Sequence, residues 1–284
     1  MPTRPVRDRH LLARRLGELS EQFTLESLSP DPLEVVREFE DPLDQEVVGL
    51  IAAAFAYGRA DIVVRNVRGV VERMDPSPSR YLLGFERRRA RRHFSGFSHR
   101  FHKRDDLVSL LEAIAAALDR EGSLGELFET VHEPADEHIG PSLARFTEAL
   151  IGFVRGAPPS LNYLLSSPEG GSACKRMNLY LRWMVRTESP DLGLWTFVDP
   201  AQLVMPLDTH VHRITTFLGL STRRSADWKT ALALTREMRS IDPFDPVRFD
   251  FAICRLGILD RCSRKRAPEQ CDVCLLRDVC SIRV

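Results

Sequence analysis

Lysine is nearly absent from this chain. Of its 40 basic residues only Lys103, Lys175, Lys229 and Lys265 are lysines, and the rest are arginines. Net charge is absent as well, because 40 acidic residues balance them. That excludes a uniformly basic coat protein and a strongly acidic tail protein, but not a local basic face. No apolar run approaches the roughly 18 residues that a spanning helix needs. The start, MPTRPVRDRH, lacks the apolar core of a secretory leader. The expectation is a soluble cytoplasmic protein with no membrane partner. Strand-type alternation is scarce too. What is present is an ordinary globular composition, 284 residues of which 43% are hydrophobic, enough for a buried core in about one to two domains.

Apolar side chains recur at helical spacing along most of the chain. Asp8 to Phe23 carries Leu11, Leu12, Leu16, Leu19 and Phe23. Asp41-Pro-Leu-Asp44 opens a second helix with Val47, Val48, Leu50, Ile51 and Phe55, stopped at Gly58. Asp61 to Met74 continues the pattern. Further helices are predicted over 105–118, 139–154, 172–185, 209–218, 226–241 and 246–256. Neither a βαβ pattern nor a fixed-period repeat appears, so the predicted class is all-α.

The neutral total hides segregated charge. Residues 86–104 carry eight basic side chains against one acidic, and residues 105–170 carry three against twelve. The basic stretch reads ERRRARRHFSGFSHRFHKR. Arg87, Arg88, Arg89, Arg91 and Arg92 are candidates for phosphate contact, and Phe94, Phe97 and Phe101 for stacking on bases. The plainer reading is an arginine-rich surface loop anchored by core phenylalanines. The reading favoured combines arginine–phosphate contact with phenylalanines mostly in the core.

Cys262, Cys271, Cys274 and Cys280 follow a C-x8-C-x2-C-x5-C spacing. Four clustered thiols in a reducing compartment point to a metal site rather than a disulfide framework. Zinc and a four-iron cluster both accept four thiolates. A single C-x2-C knuckle with uneven outer gaps favours [4Fe-4S], with zinc as the alternative. Arg264, Lys265 and Arg266 lie on the loop between the first two ligands, suited to phosphate contact. Cys174 and Cys254 fall in apolar helices and are expected to be small buried hydrophobes.

Glu169-Gly-Gly-Ser-Ala-Cys-Lys-Arg-Met-Asn178 runs a glycine pair into a helix. Gly170 and Gly171 tolerate positive φ and allow backbone N–H groups to approach a phosphate. Lys175 then falls in the first turn, where the helix dipole and burial favour the neutral amine that a Schiff-base nucleophile needs. A lone lysine there is more often a surface charge. In Met205-Pro-Leu-Asp-Thr-His-Val-His-Arg213, Asp208 is placed as an N-cap. A carboxylate there can also stabilise developing positive charge. His210 and His212, two apart, point to different helix faces and do not suit a shared metal.

These blocks resemble the helix-hairpin-helix GPD superfamily of DNA glycosylases, in the motif order of its endonuclease III-like members. The whole chain also looks like a bacterial family of unknown function placed in that superfamily. The specific resemblance covers about residues 165–284. It implies that Asp208 is the catalytic aspartate, that Lys175 attacks the sugar C1′ in bifunctional glycosylase/lyase members, and that the four cysteines hold the iron–sulfur centre. It implies two helical lobes with a helix-hairpin-helix-like element and a C-terminal iron–sulfur loop. Residues 1–40 and 205–284 would form one lobe and 41–204 the other, a monomer with double-stranded DNA in the cleft. The chain departs from the family's Leu-Pro-Gly-x-Gly hairpin, with Glu169, Gly170, Gly171, Ser172 and Ala173 at those positions. The expected activity is removal of a damaged or mismatched base, with AP-lyase action through Lys175. The alternative is a DNA-binding protein of the same fold that keeps the metal but not the catalysis.

Overall fold

A computed structural model describes residues 8–263 and 265–282. Helices account for nearly all the regular structure, as the periodicity predicts. The first five are α1 (Arg9–Gln22), α2 (Leu33–Val36), α3 (Pro42–Ala54), α4 (Ala60–Val71) and α5 (Pro78–Leu83). The next five are α6 (Arg87–His93), α7 (Arg104–Glu121), α8 (Leu124–Val131), α9 (Gly140–Gly152) and α10 (Pro159–Leu164). The last five are α11 (Lys175–Val185), α12 (Thr209–Phe217), α13 (Trp228–Arg239), α14 (Asp250–Ile258) and α15 (Pro268–Cys271). Among the described residues no helix is long and apolar enough to cross a membrane.

Aspartates start several of these helices. Asp8 accepts from the Leu11 N–H, Asp41 from Leu43, and Asp227 from Thr230. Each satisfies an amide that has no intrahelical partner, worth about 1 kcal/mol. One element departs from the helical expectation. Within the basic aromatic stretch β1 (Ser98–His99) and β2 (His102–Lys103) pair antiparallel, Ser98 opposite Lys103. Arg100, in the turn, has φ 54°.

α3 and α11 form the central pair. Gly49 of α3 lies against Tyr180 and Met184 of α11, and a Cβ there would sit 2.9 Å from the Met184 methyl. Its missing side chain sets the helix separation. Glu46, one turn earlier, is buried. Its carboxylate accepts from Leu124 N and Gly125 N at 3.0 and 3.1 Å and from the Trp195 indole at 2.7 Å. It thereby caps α8 and fixes the long 187–202 connection. Burial raises its proton affinity, and these three donors oppose that. The long α7 packs against α5, α6, α8, α9 and α10. Separately, α14 packs against α12 and receives α1, so the first helix joins the last third of the chain.

Candidate functional site

A cavity of about 810 Å³ opens where five segments converge. Its wall includes Asp31 before α2, Tyr57 after α3, Lys175 on α11, Asp208 before α12, and Asp250 with Cys254 on α14. The two residues singled out by motif therefore face one space from elements 33 positions apart.

Lys175 is the first residue of α11, and its half-buried Nζ donates to the Ala56 carbonyl at 3.2 Å. The helix begins later than the periodicity predicts, because Cys174 takes a left-handed conformation with φ 48°. Asp208 caps α12. Its Oδ1 accepts from His210 N at 2.8 Å and Val211 N at 2.7 Å. Its Oδ2 accepts from the Cys254 thiol at 3.7 Å. Cys254 is therefore more than core filler: it borders the cavity beside the carboxylate, and burial followed by the charge of Asp208 pushes its thiol strongly toward the protonated form. Cys174 is buried as expected.

Two carboxyls were not singled out in the sequence. Asp31 is buried and accepts from Leu33 N at 2.9 Å. Burial raises its proton affinity, partly opposed by that N–H and by Arg182, Lys175 and Arg255. Asp250 is 2% exposed. Its Oδ2 accepts from Arg182 Nη1 at 2.5 Å, while its buried Oδ1 has no hydrogen-bond partner among the described residues. Burial pushes its pKa up to about 6, against the pull of Arg182. A usable signal existed, since Asp250 and Cys254 are four apart and share a helix face. Asp31 lies in Pro30-Asp31-Pro32, which carries no periodicity.

Gly257 of α14 meets His210 so closely that a Cβ would fall 2.3 Å from the imidazole Nδ1. This close approach brings α12 and its Asp208 cap onto α14. His212 points elsewhere and contacts the Arg223 carbonyl at 2.9 Å.

The other sequence candidates lie apart from the cavity. Gly170 and Gly171 sit on an exposed turn between α10 and α11, Gly171 with φ 72°, and neither lines the cavity. Of the α6 arginines, Arg87 pairs with Glu112 and Arg91 with Asp105. Acids of α7 thus neutralise two charges expected to be free for phosphate. Arg88, Arg89 and Arg92 are exposed, and no carboxylate among the described residues pairs with them. The phenylalanines divide. Phe94 is buried, Phe97 half-buried and Phe101 exposed.

Cys262, Cys271, Cys274 and Cys280 are free, half-buried thiols at the C-terminal end. Burial raises Cys262 first, and the nearby Cys280, Cys274 and Cys271 raise it further. The donor type suits a four-thiolate metal. Yet among the described residues no three His, Cys, Asp or Glu side chains group to hold a metal ion. Cys271 ends α15, and only turns connect it to Cys274 and Cys280. Arg213 Nη2 donates to the Cys262 carbonyl at 2.8 Å and ties this region to α12. Arg266 pairs with Asp272 at 3.3 Å, Lys265 is exposed, and Arg264 lies outside the described residues.

Residues 31–259 match the family described as "Protein of unknown function (DUF2400)". A search of curated proteins returned no match.

Proposed function

The chain belongs to the DUF2400 family, and we propose that it is a DNA repair glycosylase that cleaves the N-glycosidic bond of a damaged or mismatched base. The observation that carries this reading is that Lys175 and Asp208 line one cavity. Its volume, about 810 Å³, is in the range of small-ligand sites, ~300–1,000 Å³. That accommodates an extruded nucleotide, which an enzyme acting on a base must take out of the stack. The resemblance to the helix-hairpin-helix GPD superfamily, endonuclease III-like in motif order, supplies the roles.

As the C1′–N bond lengthens, its electron pair leaves with the base, which takes up a proton. Asp208 stabilises the cationic sugar. The Lys175 amine attacks C1′, and ring opening with loss of the amine proton yields a Schiff base. Abstraction of the C2′ proton then expels the 3′ phosphate, the β-elimination of an AP lyase. The terminal cysteines would hold a structural [4Fe-4S] cluster, or zinc, and no step passes through it. The fold would be the two-lobed helix-hairpin-helix arrangement, acting as a monomer on double-stranded DNA. The exposed Gly170–Gly171 turn and the unpaired arginines of α6 would meet phosphates.

Borohydride trapping on abasic DNA tests the reading. A covalent adduct that vanishes in Lys175→Ala supports the lyase role, and an adduct that survives it removes Lys175 from the chemistry. A second reading is a non-catalytic DNA-binding protein of the same fold. It is favoured by the use of Asp208 Oδ1 as a helix cap and by the changed hairpin residues. An Asp208→Asn protein with undiminished function would select it.

A further inference from the structure

Beside the cavity stands a group of aromatic rings that the proposed chemistry does not use. Tyr57, which lines the cavity, stacks with Phe101 at 5.6 Å and 28°. Phe101 meets Tyr163 edge-on at 5.2 Å. Buried side chains would be unremarkable, but Phe101 is 60% exposed and Tyr163 43% exposed. Water thus covers a joined apolar face at the cavity's edge.

The face is held rigidly. Phe101 sits in the turn of the β1–β2 hairpin, flanked by the buried His99 and His102. Asn66 Nδ2 donates to His99 Nδ1 at 3.0 Å, which leaves His99 Nε2–H to donate to the Tyr57 carbonyl at 3.0 Å. The Tyr57 hydroxyl bonds His102 Nδ1. Burial lowers the basicity of both imidazoles and favours their neutral forms.

Charge identifies the occupant. Arg176 is buried behind the rings, its guanidinium 4.3 Å from the Tyr163 centroid and 5.3 Å from that of Tyr57. It donates to the Ala54 and Tyr163 carbonyls. No carboxylate among the described residues pairs with it or with the exposed Arg100, whose side chain lies over Gly58 at the cavity wall. An apolar face backed and bordered by two guanidinium groups without an ion-pair partner among the described residues suits a flat ring carried on an anionic backbone, rather than an apolar protein surface.

We infer that Phe101 and Tyr163 form a stacking face for an unpaired nucleobase adjacent to the nucleotide held in the cavity. The inference rests on the DNA reading above and narrows its substrate. The favoured DNA is a duplex with an unpaired neighbour beside the reacting nucleotide, as in a bulge or gap. A fully paired flank leaves the face uncovered.

The test uses the full chain and oligonucleotides carrying a tetrahydrofuran abasic analogue, with 2-aminopurine as its neighbour, either paired or unpaired. Stacking on an aromatic side chain quenches that fluorophore. The expected result is quenching on binding, with the unpaired form bound about tenfold more tightly. Phe101→Ala and Tyr163→Ala should each lose about tenfold on the unpaired form, and Phe101→Trp should retain binding and quenching. Circular dichroism checks that the variants fold. If the wild type binds but Phe101→Ala leaves quenching and preference unchanged, the stacking face is overturned and the DNA reading stands. If the wild type binds none of the oligonucleotides, both fall. Phe101-dependent self-association in sedimentation, without fluorescence change, would assign the face to a second copy and overturn the inference.

Discussion

Arg182 holds Asp250 beneath the cavity, Nη1 to Oδ2 at 2.5 Å, with both side chains 3% exposed. Arg182 also holds Asp191 at 3.1 Å, and Asp191 binds Arg186 at 2.5 Å. Removing Asp250 leaves Arg182 with Asp191 as its one buried carboxylate, and losing a partner from such a buried network costs up to about 3–5 kcal/mol. Asp250→Ala should lose that much in urea denaturation. An unchanged midpoint would show that the network relaxes around the loss.

Asp250 also sets a pH dependence. Its carboxyl has a pKa of about 6 in the fold, above the unfolded value of 3.8. The folded protein therefore binds this proton more tightly than the unfolded chain does. The resulting stabilisation is full below the unfolded value and is lost as pH rises through about 6. Arg182, Asp208 and Lys175 all act on this group. Thermal denaturation should show wild type losing stability relative to Asp250→Asn as pH rises from about 4 to 6. A difference independent of pH would place the proton elsewhere.

Asp208 combines a cap and the proposed catalytic carboxylate, and two substitutions separate them. Asparagine keeps an oxygen for the His210 and Val211 amides, so Asp208→Asn should retain stability. Its glycosylase rate should fall about a hundredfold or more, the scale of losing a charge that stabilises a transition state. Asp208→Ala should in addition lose about 1 kcal/mol as the cap is removed. Equal rates for wild type and Asp208→Asn would exclude a catalytic charge.

The arginines of α6 should differ among themselves. Arg88 and Arg92 are free of carboxylates among the described residues, whereas Arg91 is paired with Asp105. Replacing Arg88 or Arg92 with alanine should reduce the slope of log affinity against log salt by about 0.9 each. Replacing Arg91 should reduce it less. Equal slopes across all three variants would mean that α6 does not meet the phosphates.

The terminal thiols give a spectroscopic test. Anaerobically purified protein with a [4Fe-4S] centre should absorb broadly near roughly 400 nm. Cys274→Ser should lose that band. A colourless protein that releases one zinc per chain on denaturation would favour the alternative, and a protein with neither metal would remove the site.

Local pattern was enough for the helical class. Apolar spacing marks α1, α3, α4 and α7, and an aspartate before the first turn marks where α1, α3 and α12 begin. Those features are readable because a helix face and its cap involve residues within a few positions of one another. Short helices such as α2, α5 and α8 escaped, since a turn or two carries little periodicity. The α6 arginines read as a free basic cluster because the acids that neutralise two of them come from α7.

An all-α chain, with Lys175 at a helix start and Asp208 at a helix cap, follows from residues a few positions apart. Packing brings Lys175 and Asp208 into one cavity with Asp31, Asp250 and Cys254, and joins Tyr57, Phe101 and Tyr163 into one face at its edge. These groups lie on separate segments. Their convergence depends on how helices pack, through contacts such as Gly49 on Met184 and Gly257 on His210, which no local spacing reports.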